Sequence, residues 1–139
     1  MASRPAKGLL DTSTLLLLGR IEDPELLPEE PVISTITLAE LTVGPLVAAT
    51  EPERVARQAH LQQAESDFDA LPFDAAAARA FGSVGTSLRN RGRKRSARAF
   101  DALIAAVAIA NDLPVYTANP NDFEGIDDLA VIPVAIAGD

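Results

Sequence analysis

Nine consecutive apolar residues, Ala102 to Ala110, follow Asp101 without a polar interruption. A surface helix keeps a polar stripe, whereas a helix apolar on most sides is central and buried. The segment from Arg98 to Asn111 is therefore predicted to be such a helix. Around it, short β-like runs alternate with longer helical ones, the pattern of an α/β protein with a parallel sheet and crossover helices. Strands are expected at Lys7 to Leu10, Pro31 to Ser34, Ala70 to Phe73, Val115 to Thr117 and Val131 to Val134. Helices are expected at Thr12 to Arg20, Ile36 to about Ala48, Pro52 to Asp67, and from a cap at Asp74 towards Arg89. No repeat or linker interrupts the pattern, so residues 1–139 read as one domain.

Composition narrows the chemistry. The chain has no cysteine, which removes disulfides, cysteine-based zinc sites and thiol nucleophiles together. The apolar run Leu15 to Leu18 is too short for a signal core or a membrane span. A soluble, cytoplasmic protein with no membrane partner is expected. The net charge is −8, yet seven of the twelve basic residues fall between Arg79 and Phe100, where no acid occurs. Such a segment suits contact with phosphates, and Arg91, Arg93, Lys94 and Arg95 are the candidates. A solvated helix end and loop is the structural alternative. Phe81 and Phe100, the aromatics nearest to it, read as core, which gives base stacking little support.

In open parallel sheets the ligand crevice lies outside the carboxyl ends of the strands. Asp11 follows the first expected strand directly, and Asn119 and Asp122 follow the fourth. Glu40 lies on the helix after the second, and Asp101 opens the buried helix. Convergent carboxylates repel one another unless they are protonated or share cations. An oxygen-rich cluster selects Mg²⁺ or Mn²⁺ over zinc, and two such ions roughly 3.5–4 Å apart can activate water in phosphodiester hydrolysis. Each residue also has a structural reading. Asp11 can cap the helix behind it, Glu40 can close a capping box with Thr37, Asp101 can pair with Arg98, and Asp122 can cap a loop. Singly the structural readings are preferred; together the acids favour the functional one. His60, the single histidine, lies on a polar helix and reads as a surface residue. No Gly-x-Ser-x-Gly pattern accompanies it for a serine hydrolase.

Three motifs resemble the PIN-domain family, and within it the VapC-like toxins. They are Gly8-Leu9-Leu10-Asp11-Thr12-Ser13, then Val32 to Leu41 with Gly44 beyond, and Phe100 to Ala106 followed by Val115 to Phe123. The resemblance implies a three-layer fold with a parallel sheet of about five strands flanked by helices. It also implies a metal-dependent endoribonuclease that cuts structured RNA of the tRNA or rRNA class. Asp11, Glu40 and Asp101 are implied as the main metal-site carboxylates. The family's fourth acid falls at Asn119, with Asp122 as the substitute candidate. Ser13 and Thr117 are implied as auxiliary hydroxyls that orient carboxylates or water. A homodimer and a small VapB-like antitoxin belong to the same implication.

Three rival readings compete with this one. A haloacid-dehalogenase phosphatase needs an acid where Ser13 stands. A receiver-like module needs paired acids near the first strand and a late lysine, and has neither here. A catalytically weak PIN-like module that binds RNA or protein is the alternative that Asn119 keeps open.

Overall fold

The computed structural model describes residues 6–90 and 99–138. Five strands, β1 (Lys7–Leu10), β2 (Glu30–Ser34), β3 (Ala70–Leu71), β4 (Val115–Thr117) and β5 (Val131–Pro133), form one sheet in the order β3-β2-β1-β4-β5. All neighbours are parallel. Five helices connect or follow them: α1 (Thr12–Leu16), α2 (Thr35–Leu46), α3 (Glu51–Asp67), α4 (Ala75–Asn90) and α5 (Ala99–Ala110).

Alternation along the strands divides the core in two, because successive side chains point to opposite faces. Leu9, Val32 and Val115 pack with α4 and α5 through Val84, Leu88, Ile104 and Val107. Leu10, Ile33 and Tyr116 pack on the other face with Leu41 of α2 and Ala64 of α3. This is the three-layer arrangement expected from the sequence. The expectation for α5 holds as well: Ala102, Ile104, Ala105, Ala106, Val107 and Ala108 are all buried.

Several boundaries differ from the sequence reading. The helix expected from Thr12 to Arg20 ends at Leu16 and is followed by a 3-10 turn over Leu18–Arg20. There the Leu17 N–H is shared between the carbonyls of Ser13 and Thr14, both at 3.1 Å, which tightens the last turn. Helix α2 starts at Thr35, capped by Ser34, whose hydroxyl accepts the Thr37 N–H at 3.3 Å. Glu40 therefore lies more than a turn inside the helix and closes no capping box. Asp74 caps α4 as expected, accepting the Ala77 N–H at 3.0 Å. Phe81 packs against the core, but Phe100 is 53% exposed, because it stands at the start of α5 on the side away from the buried stripe. Val43, Leu46 and Val47, towards the end of α2, are exposed. No helix among the described residues is long and apolar enough to cross a membrane.

The Tyr116 ring lies directly on Gly8. A Cβ at residue 8 would stand 2.4 Å from Tyr116 Cε1, and Tyr116 is itself buried. Gly82, within α4, has open space around its position. Gly8→Ala is expected to destabilise the protein by about 1–3 kcal/mol through overpacking. Gly82→Ala is expected to stabilise it by up to about 1 kcal/mol through helix propensity. Urea midpoints of the two variants check both signs.

Candidate active site

The strand order places the second and third strands on one side of β1 and the fourth and fifth on the other. The crevice at the carboxyl ends of β1 and β4 is thus the switch point where open α/β sheets bind ligands. Asp11 follows β1 at this crevice and is only 2% exposed. A carboxylate buried to that degree needs hydrogen-bond donors for its charge.

Four donors reach it. Oδ1 accepts the Thr14 N–H at 3.1 Å and the Thr14 hydroxyl, and Oδ2 accepts the hydroxyls of Thr117 at 2.8 Å and Ser13 at 3.3 Å. These match the roughly four lone-pair positions a carboxylate offers. The cap read from the sequence is real, since Asp11 is the N-cap of α1. The same side chain also serves the site. The Thr14 hydroxyl in turn accepts the Ala118 N–H at 2.9 Å, which ties the end of β4 to α1.

Asn119 is exposed at the same rim. Its amide nitrogen donates to Ser13 Oγ at 3.1 Å, and its backbone N–H donates to Thr117 Oγ1 at 2.9 Å. Asn119 thus reaches Asp11 indirectly, its side-chain amide through the Ser13 hydroxyl and its backbone N–H through the Thr117 hydroxyl.

Glu40 is half-buried and is held by a single chain of hydroxyls. Thr12 Oγ1 donates to Glu40 Oε1 at 2.7 Å and lies 2.8 Å from Thr37 Oγ1. A hydroxyl has one proton, so Thr37 is the donor to Thr12. Burial pushes the Glu40 carboxyl above its ordinary value, the Thr12 bond lowers it, and the negative charge of Asp11 raises it again. The two carboxylates therefore sense each other's field.

Asp101 is half-buried in the first turn of α5, and Asp122 is half-buried in the 3-10 turn Pro120–Phe123 after β4. Among the described residues, no three His, Cys, Asp or Glu side chains form a group that could hold a metal. The structure links Asp11 with Glu40, Ser13, Thr117 and Asn119, and does not gather all four acids into one such group. Arg91, Arg93, Lys94 and Arg95 lie outside the described residues, as does the Arg98 partner weighed for Asp101.

The donor set can still be tested against a hard cation. All available ligands are oxygens, and burial and the charge of Asp11 both raise the Glu40 carboxyl, a strain that a divalent cation relieves. Mg²⁺ keeps several waters and is commonly bound through one or two carboxylates, so Asp11 and Glu40 fit it. With all four positions of Asp11 taken, a cation there has to displace a donor. The Ser13 bond, the longest at 3.3 Å, is the weakest of the set.

A cavity of about 460 Å³ opens beside Glu40 and Thr12, and Gly44, Arg57 and His60 also line it. The sequence reading left His60 on the surface. It is exposed, but it faces this cavity. The roles of Thr14, Thr37 and Arg57 were also missed. Thr14 was readable from its place three residues after Asp11, where a cap's partner stands. Thr37 and Arg57 carry no local signal, because their partners lie 25 and 13 positions away.

A family model described as the PIN domain matches residues 9–129. With a parallel α/β sheet and an acid-bearing crevice at its switch point, the chain belongs to the PIN-domain family. It is 39% identical over 136 residues to the ribonuclease VapC5 of Mycobacterium tuberculosis, an alignment covering 96% of this chain and 98% of that protein. A chain of the VapBC-5 toxin–antitoxin crystal structure from the same organism superposes with a TM-score of 0.80 at 38% identity, covering 94% of this chain and all of that one. A chain of VapBC2 from Rickettsia felis, bound to a DNA fragment from their promoter, gives a TM-score of 0.74 at 26% identity, with 90% and 96% coverage.

Removing one Asp11 donor tests how far the fold depends on this carboxylate. Thr14→Val removes the side-chain donor to Oδ1 and the acceptor of the Ala118 N–H. It is expected to cost about 1–3 kcal/mol of stability, whereas Ser13→Ala, losing the longer bond, should cost less. Thermal melts of both variants at neutral pH provide the comparison.

Proposed function

We propose that this chain is an endoribonuclease toxin that depends on Mg²⁺ or Mn²⁺ and is neutralised by a VapB-like antitoxin. The observation that carries the reading is the buried Asp11 carboxylate, fixed by four donors at the switch-point crevice beside Glu40. The similarity to a VapC ribonuclease over nearly the whole chain supports it. Structured RNA of the tRNA or rRNA class is the proposed substrate, with a homodimer and a cytoplasmic site of action as parts of the same proposal.

In this reading Asp11 and Glu40 would hold the cation, with Asp101 as the third acid and Asn119 or Asp122 as the fourth oxygen ligand. Such an ion would supply an activated water and charge neutralisation at the scissile phosphodiester. Thr14 and Thr117 fix the orientation of the Asp11 carboxylate through the bonds they donate to its two oxygens. Ser13 is the adjustable member, held from one side by Asn119 and able to leave Asp11 when a ligand takes its place. Thr12 orients the Glu40 carboxylate and passes its own acceptor position to Thr37.

A second reading, a PIN-like module that binds RNA or protein without cutting it, rests on the amide at position 119 and on the lack of a three-acid group among the described residues.

Purified protein incubated with structured RNA is expected to cleave it in Mg²⁺ or Mn²⁺ and to stop in excess EDTA. Asp11→Asn or Asp101→Asn should lower the rate by about a hundredfold or more while circular dichroism stays native-like. Metal-independent cutting, or full activity in both variants, would overturn the site assignment. Asp122→Asn is expected to slow cleavage, and an unchanged rate would leave position 122 a loop cap. Intact RNA under every metal condition would favour the binding module.

A further inference from the structure

Helix α3 is mostly polar, but one stripe of it faces the core. Leu61 and Ala64 pack there, and Arg57 continues the same stripe one turn earlier, at the i, i+4, i+7 spacing. A cation is thereby placed on an inward-facing position. It meets the cavity shared by Glu40, Thr12 and Gly44, with His60 one turn further along on the same wall.

Arg57 is held in place rather than merely present. Its Nη1 donates to the Gly44 carbonyl at 2.9 Å, and its stem lies across Gly44, where an added Cβ would stand 3.3 Å from Arg57 Cδ. The ion-pair partner is Glu53 at 3.9 Å, with the arginine side chain 42% exposed. That pair is at the outer limit of an ion pair and of the weak, exposed kind. A guanidinium has five N–H donors, so most remain for a ligand. Cations that serve only to neutralise an active-site acid contact it, and Arg57 contacts Gly44 and Glu53 instead.

A fixed guanidinium in the cavity that the Glu40 carboxylate lines suits a polyanion that must approach a repulsive site. We propose that Arg57, assisted by His60, forms a phosphate-binding subsite for the RNA backbone next to the phosphodiester that is cut. This inference rests on the ribonuclease reading above. Arg57 acts in it as a binding residue, oriented by the Gly44 carbonyl.

The test uses the full chain carrying Asp11→Asn, to prevent cleavage, and a short fluorescein-labelled single-stranded RNA as probe. Binding is followed by anisotropy over a series of KCl concentrations. Adding Arg57→Gln is expected to weaken binding about tenfold at low salt and to lower the slope of log affinity against log salt by about 0.7, the value for one phosphate contact on a single strand. Arg57→Lys, which keeps the charge but loses the fork, should restore the slope. His60→Gln should weaken binding less, and Arg54→Gln, on the outer face of α3, should leave the slope unchanged. If Arg57→Gln leaves the slope unchanged while the parent binds RNA, the subsite is wrong and the ribonuclease reading stands. If the slope is unchanged but a cognate antitoxin no longer binds, the cavity belongs to a protein partner and the proposal fails. Should the parent bind no RNA and the wild-type chain cut none, both readings fall together.

Discussion

A carboxylate buried to 2% exposure is the constraint around which the rest of the crevice is organised. An unpaired charge at that depth would be far more costly than the whole stability of a chain this size. Asp11 is tolerated because α1 supplies three donors and β4 the fourth. The same bonds do structural work: Thr14 holds Ala118, and Thr117 joins the β4 end to the residue after β1. Pairing of the two central strands and preorganisation of the acid are consequently one arrangement. A change that loosens either loosens both.

The second acid is treated differently. Glu40 receives one hydroxyl, is only half-buried, and lies in the field of Asp11. One carboxylate is saturated by its surroundings and the other is left with capacity. This asymmetry assigns the adaptable role to Glu40 and to the cavity it borders, and the fixed role to Asp11. It also explains why the hydroxyls matter as much as the acids. Ser13, Thr12 and Thr37 set which carboxylate lone pairs are occupied and which are not.

Much of this was legible in the chain. The apolar run in α5 and the alternating short strands gave the layers and the order of elements, since burial and periodicity are local signals. Asp11, Glu40 and Asn119 were found because residues at the carboxyl ends of parallel strands have a predictable place. What stayed hidden depended on contacts between distant elements. Thr37 bonds Thr12 across 25 positions, and Arg57 bonds Gly44 across 13, neither of which leaves a periodic trace. Phe100 departs from its expected burial because a helix start has an outward side, even beside an apolar run. The basic segment from Arg91 to Arg95 lies outside the described residues, so its reading still rests on the charge pattern alone.

The amide at position 119 changes what the crevice can do. Asn119 donates to Ser13, and Ser13 donates to Asp11, so the polarity of this chain runs toward the buried carboxylate. An aspartate in the same place would be an acceptor. Ser13 has one proton and could then serve only one of the two acids, and a third negative charge would join the field that already raises Glu40. The amide thus trades charge for order: it adds no negative charge to the crevice and holds the hydroxyl that donates to Asp11. With the negative charge of the crevice kept to its acids, Arg57 stands as a fixed positive charge in the cavity that Glu40 lines, oriented by the Gly44 carbonyl.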